Sequence, residues 1–193
     1  LSELLSGADI FSEGYRPGVM DRLGFGPDAC HATRPGIVCV SINCYGYRGP
    51  FASRPGWEQL GQSVSGMAFE EGAPDAPRLV PAAACDYTTG YLAAFGALVA
   101  LHRRATEGGS YHVRVSLART GMWYLDQDRV GADVVLPGEL TREKARPWTV
   151  ETQTPWGRMA HLAPVVQMSQ TPPRWRLPSP KTGADVPQWL PAA

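Results

Sequence analysis

The chain has 193 residues, 44% of them hydrophobic, enough for one core of ordinary size. Lys and Arg number 18, as do Asp and Glu, a balance that gives no electrostatic footprint for nucleic acid or an anionic membrane. The longest apolar run, residues 91–101, falls short of the ~20 residues that span a bilayer. Residues 1–5 lack the basic start and apolar stretch of a signal peptide. No initiator Met is present, so a fragment, a processed product or an incomplete reading frame is expected. Cys30, Cys39, Cys44 and Cys85 include no CxxC pair. They read as free thiols in a reducing cytoplasm, with no metal site.

Residues 2–7 read as a helix end closed by Gly7, and residues 8–13 as a short strand. Residues 14–18 form a Pro- and Gly-punctuated turn. Short helices are expected over residues 19–25, ending at Gly24 or Gly26, and over 27–33, where Pro27 takes a favoured first-turn position. Residues 36–43 are the clearest strand. Their continuous apolar character predicts burial on both faces, as in a parallel sheet between helices. After a Gly- and Pro-rich loop, residues 56–68 predict an amphipathic helix with Trp57, Leu60, Val64 and Met67 at helical spacing. Residues 70–81 read as a loop. The strongest helix covers 87–104, with Leu92, Phe95, Leu98, Val99 and Leu101 on a broad apolar face and His102, Arg103 and Arg104 suiting its negative end. Residues 111–117 alternate as a strand near a sheet edge. Nine of the 18 prolines fall between residues 147 and 191, which predicts extended segments and turns wrapping a body formed elsewhere. The order of elements points to an α/β architecture.

Asp86, just before the long helix, has two compatible readings. It can cap the helix by accepting a first-turn N–H. It can also be an ionised carboxylate, favoured by the helix N-terminus, that attacks an activated acyl group. The turn Tyr15-Arg16-Pro17-Gly18, followed by Asp21-Arg22, brings two guanidiniums to a strand-to-helix junction, where they either hold phosphate or face solvent. Gly46, Gly49 and Pro50, with Tyr45 and Tyr47, make a loop that can approach a ligand closely. His31, His102, His112 and His161 read as surface or satisfied histidines. No GxSxG, P-loop or GxGxxG motif occurs.

Three blocks in order resemble the class III CoA-transferases, the family of formyl-CoA transferase, carnitine CoA-transferase and α-methylacyl-CoA racemase. They are ADIFSEGYRPGVMDRLGFG at residues 8–26; PGIVCVSINCYG at 35–46, with Gly49-Pro50 and Arg54-Pro55-Gly56; and the stretch from Asp86-Tyr-Thr-Thr-Gly90 to Val113-Arg-Val-Ser-Leu117. Thr154-Pro-Trp-Gly157 and Ser169-Gln-Thr-Pro-Pro173 resemble the closing segment of that family. The resemblance implies a Rossmann-like sheet: residues 1–130 as part of the large domain and 131–193 as a Pro-rich C-terminal segment. It implies coenzyme A as co-substrate, with acyl-CoA and carboxylic acid substrates. Asp86 falls on the family's nucleophile, which forms a mixed anhydride with the acyl group. CoA thiolate then gives an aspartyl thioester, and the incoming acid takes CoA from it. Gly14, Tyr15, Val19, Arg22 and Leu23 fall where that family contacts the adenine and phosphates, and Asn43 and Tyr45 beside the pantetheine.

The racemase branch has a His-Asp pair where this chain has Trp57-Glu58. A racemase needs bases on both faces of the α-carbon, so racemase chemistry is the lesser alternative, beside a non-catalytic binding or assembly module. The family's opening strand and helix and its smaller second domain find no counterpart here. Either the missing half of a longer protein or a homodimer, such as the interlocked dimers of the family, is the expected partner.

Overall fold

In this computed structural model, residues 1–128, 138 and 140–189 are described. The chain divides into two units, Leu1–Arg129 and Val130–Ala193. The first contains α1 (Ser2–Ser6), β1 (Ile10–Glu13), α2 (Val19–Arg22), α3 (Pro27–Thr33), β2 (Val38–Asn43), α4 (Glu58–Ser65), α5 (Met67–Glu71), α6 (Ala84–Glu107), β3 (Tyr111–Ser116) and α7 (Leu117–Leu125). The three strands form a parallel sheet in the order β1-β2-β3, with Phe11 opposite Cys39 and Cys39 opposite His112.

The central strand is covered on both sides, as its unbroken apolar run predicts. Val38, Cys39, Val40 and Ser41 are all buried. Side chains alternate across a pleated strand. Cys39 therefore joins Leu5, Ala8, Cys30 and Ile37 beneath α1 and α3. Val38 and Val40 point the other way, onto Ala93, Ala97 and Ala100 of α6. The result is an α/β/α layering with β3 as an outer strand.

α6 corrects the sequence reading in two ways. It begins earlier and ends later than residues 87–104, and its inner face is not the apolar one expected. Cys85, Thr89, Ala93, Ala97 and Ala100 are buried, whereas Leu92, Phe95, Leu98 and Val99 are exposed. The physical reason is closeness. A Cβ on Gly96 would lie 2.7 Å from Val113 Cγ1, so only small side chains fit between helix and sheet. At 24 residues α6 is long and apolar enough to cross a membrane, but its inner stripe packs as a core helix does. Arg104 stands in the last turn, as expected, and also reaches across to Gly36 O at 3.0 Å and Asp9 Oδ1 at 3.1 Å.

The helix expected over residues 56–68 is two helices, because Gly66 adopts φ +95° and breaks the path between α4 and α5. Its buried face differs in part: Met67 is buried and Leu60 packs against it as expected, but Glu58, Gly61 and Gln62 are also inside, while Trp57 and Val64 are exposed. The helix expected over 19–25 spans only Val19–Arg22. The sequence reading contains no helix over α7, whose Thr120 joins Thr89 of α6 in a buried hydroxyl pair 2.7 Å apart. The second unit holds α8 (Arg142–Ala145), a 3-10 turn at Arg146–Trp148, and an antiparallel hairpin of β4 (Thr149–Thr154) and β5 (Gly157–Leu162). Its turn is held by Trp156 N donating to Thr154 Oγ1 at 3.0 Å.

Candidate active site

The ends of β1 and β2 bring Gly14 and Asn43 to the carboxyl edge of the parallel sheet. Ligands of open α/β sheets bind at that edge. α6 delivers its C-terminus to the start of β3, so its N-terminus lies at the same edge as the strand ends. Asp86 stands there. It is the third residue of α6, not its cap; the cap position belongs to Ala83, which has no capping side chain.

The orphan first-turn amides of α6 are met from elsewhere. Glu58, at the start of α4 and only 5% exposed, accepts from Asp86 N at 2.6 Å and from Cys85 N at 3.1 Å. Gln62, one turn along α4, donates to the same carboxylate at 2.7 Å and to Ala82 O at 3.0 Å, and accepts from Val80 N at 2.9 Å. A buried carboxylate with three donors is a satisfied one. The two side chains thus fix the chain from Val80 to Asp86 against α4. With the amides taken by Glu58, Asp86 is an exposed residue whose carboxyl no first-turn amide engages.

Two opposing influences act on Asp86. The helix N-terminus favours its charge. Partial burial, and secondly the charge of Glu58, push its pKa above the ordinary carboxylate value. The thiols do not compete as nucleophiles. Burial first, and then neighbouring groups, hold Cys39 and Cys85 up at about 12.

A cleft of about 250 Å³ runs along the same edge. Gly14, Tyr15 and Asn43 line it, together with Arg16, Arg54 and Trp57. Trp57 also lines a cavity of about 390 Å³ that includes Glu58 and Asp86, which makes cleft and carboxyl neighbours. Asn43 spends both ends of its amide on the turn to Gly46, donating to Gly46 O at 2.9 Å and accepting from Gly46 N at 2.7 Å. Tyr45 does not line the cleft; it stacks edge-on against Phe51, with ring centres 5.5 Å apart. Val19, Arg22 and Leu23 belong to α2 and its end and do not line the cleft either; Arg22 and Leu23 are exposed.

Sequence reasoning missed three residues here. Glu58 entered only as a departure from a His-Asp pair, and Gln62 not at all. The available signal was Ala82-Ala83-Ala84: a long helix whose start carries no capping side chain needs one from elsewhere. Arg54 counts in the sequence only as part of a Pro-Gly motif, yet it lines the cleft, and its guanidinium lies 4.3 Å over the Phe51 ring. Two arginines beside an exposed aromatic, Tyr15, suit a phosphate-bearing ligand with a planar base. Of the histidines, His112 bonds Ser41 Oγ at 2.9 Å and His161 bonds Thr152 Oγ1 at 2.8 Å. These are the satisfied histidines expected.

The sequence model of CoA-transferase family III matches residues 1–143. The acetyl-coenzyme A transferase nodX of Hypoxylon pulicicidum is 38% identical over an alignment of 133 positions that covers 64% of this chain and 22% of that protein. The succinyl-CoA–L-malate CoA-transferase beta subunit of Chloroflexus aurantiacus is 33% identical over 56% of this chain and 28% of its own length. The chain therefore spans about a quarter of the length of these relatives. The crystal structure of a CAIB/BAIF family protein from Brucella suis superposes with a TM-score of 0.61 at 28% identity, over 64% of this chain and 33% of that one.

Proposed function

Because the chain belongs to CoA-transferase family III, we propose that it forms part of an enzyme that moves coenzyme A from an acyl-CoA thioester to a carboxylic acid, with Asp86 as the covalent carrier. The observation that carries this reading is the division of labour at the start of α6. Glu58 satisfies the helix amides, and the Asp86 carboxyl is left unengaged by them, next to a cleft holding Arg16 and Arg54 with which it shares Trp57.

Coenzyme A is a substrate of this exchange, and the cleft fits its phosphates by charge. An Asp86 oxygen attacks the thioester carbonyl, the C–S bond breaks, and CoA leaves as thiolate. The thiolate then attacks the aspartyl carbonyl of the mixed anhydride and releases the first acid. The incoming carboxylate displaces CoA from the aspartyl thioester, and the thiolate attacks the new acyl group, which regenerates Asp86. No net proton is consumed. The raised pKa of Asp86 makes its carboxylate a stronger base, and with it a better nucleophile, than an ordinary carboxylate. Racemase chemistry fits less well, because Trp57 is no base and Glu58 has both oxygens engaged. Free, buried thiols fit a reducing cytoplasm. The relative named as a beta subunit supports an assembly with a second chain or a second copy.

The test is to incubate the full-length protein with a panel of acyl-CoA donors, trap with hydroxylamine and map the product by mass spectrometry. A hydroxamate on the Asp86 peptide, lost in Asp86→Asn, is the expected result. CoA binding without any adduct would favour a non-catalytic binding module.

A further inference from the structure

A cavity of about 190 Å³ lies on the face of the sheet turned away from α6 and takes no part in the transfer described above. Its floor is the sheet itself. The pairing register sets Glu13 of β1, Ser41 of β2 and Arg114 of β3 in one row, and side chains of one row point to the same face. Arg16, Met20 and Asp21, in and before α2, and Tyr47, in the loop after β2, enclose the space above that floor. We infer that this cavity binds a small zwitterion, with its carboxylate toward Arg114 and its ammonium toward Glu13.

The charges come first. Glu13 and Arg114 stand on the two strands flanking β2, roughly 10 Å apart at the backbone. Neither forms an ion pair among the described residues. The row thus presents two opposite charges held apart, with a hydroxyl between them. A ligand with two negative ends would meet Glu13, and one with two positive ends would meet Arg114; a zwitterion answers both. Arg16 and Asp21 balance each other in the lining, and the Asp21 carboxyl lies against Gly26, at the start of α3. His112 adds no charge: it bonds Ser41 Oγ at 2.9 Å, and burial first, then Arg114, hold its pKa below the ordinary value. The second observation is an unpaired donor. The Tyr47 hydroxyl is buried and has no hydrogen-bond partner among the described residues, and such groups call for an explanation. Burial, and then Glu13, push its pKa up to about 12, while Arg114 pulls the other way. It is therefore a protonated donor that feels both charges. The Arg114 guanidinium lies 5.3 Å from the centre of the Tyr47 ring, so a carboxylate held by Arg114 can take the phenol hydrogen as well. At the other end, Glu13 Oε2 accepts from Tyr15 N at 3.0 Å, which leaves Oε1 for an ammonium. Phe11, Met20 and Phe25 supply apolar lining for a short methylene chain between the two ends.

The experiment is calorimetric titration of the full-length protein, with and without coenzyme A, by glycine, β-alanine, 4-aminobutyrate and 5-aminovalerate. Butyrate and butylamine are the controls with one charge each. The expected result is a single site that takes 4-aminobutyrate or 5-aminovalerate at least about tenfold tighter than glycine or either control, and takes it equally well when coenzyme A is bound. Glu13→Gln erases the preference over butyrate, and Arg114→Gln the preference over butylamine. Tyr47→Phe weakens the bound amino acid about five- to tenfold without lowering the thermal stability of the free protein, because the phenol has no partner to lose. Butyrate bound as tightly as the amino acids overturns the inference, and so does the absence of heat with every compound. Displacement by coenzyme A overturns it too, by placing the compound in the neighbouring cleft that shares Arg16. A Tyr47→Phe protein that is less stable but binds unchanged makes the phenol a packing group and has the same consequence. None of these outcomes touches the Asp86 adduct, so the acyl-transfer reading stands or falls separately.

Discussion

The two helices that meet at Thr89 and Thr120 begin in different ways. α7 is capped locally: Ser116, the last residue of β3, accepts from Arg119 N at 3.4 Å. α6 is capped from 28 residues away, by Glu58. A local cap uses the polar side chain at the helix start to hold the backbone. A distant cap does the same work and leaves the polar side chain at the start of the helix available for something else. That is the difference between a structural helix end and one that can carry a nucleophile.

Four measurements break or sharpen this contrast. The largest effect is expected of Asp86→Asn: acyl transfer falls at least about a thousandfold, because the covalent step has no carrier. Its thermal unfolding changes little, because Glu58, not Asp86, holds the amides. If the variant unfolds as readily as a helix that has lost its cap, the division of labour is wrong. Next is Glu58→Ala, which leaves Cys85 N, Asp86 N and the Gln62 amide without their acceptor. Denaturant titration should show a loss of about 2–3 kcal/mol. Ser116→Ala, the local equivalent, should cost about 1 kcal/mol and leave the Asp86 adduct intact. A larger loss than for Glu58→Ala would reverse the ranking of the two caps.

The smallest effect is in the pH profile. Asp86 is held above the ordinary carboxylate value, first by burial and then by Glu58. Only its ionised form attacks, so the acylation rate falls on the acid side at a pH above that ordinary value. Glu58→Gln removes the like charge and keeps one acceptor. The acid limb should move to lower pH, and an unmoved or upward-moving limb would rule out Glu58 as an influence on the nucleophile.

Much was legible in the chain itself. The unbroken apolar run of residues 36–43 demanded burial on both faces, and Val38 to Ser41 are buried on both. The position of Asp86 at the start of a long helix followed from the apolar stretch after it. Less legible was which way that helix faces. Leu92, Phe95 and Leu98 look like a core stripe by spacing, yet the spacing of small residues at 89, 93, 97 and 100 won, because Gly96 lets the helix come within touching distance of Val113. Hydrophobicity measures what a side chain gains by burial; the distance between helix and sheet decides which side chains fit.

The candidate site divides in the same way. The sequence alone determined the residue types that make the chemistry plausible: an aspartate at a helix start, arginines in Pro-Gly turns, and the parallel-sheet arrangement that gathers loops at one edge. Only the tertiary structure decided that Glu58 and Gln62 hold the helix end, that Arg54 joins Arg16 in the cleft, and that Asn43 is spent on its own turn. Local order along the chain fixes propensity and charge, because these act over a few residues. Caps, clefts and grooves depend on contacts between residues tens of positions apart, and those distances exist only once the chain has folded.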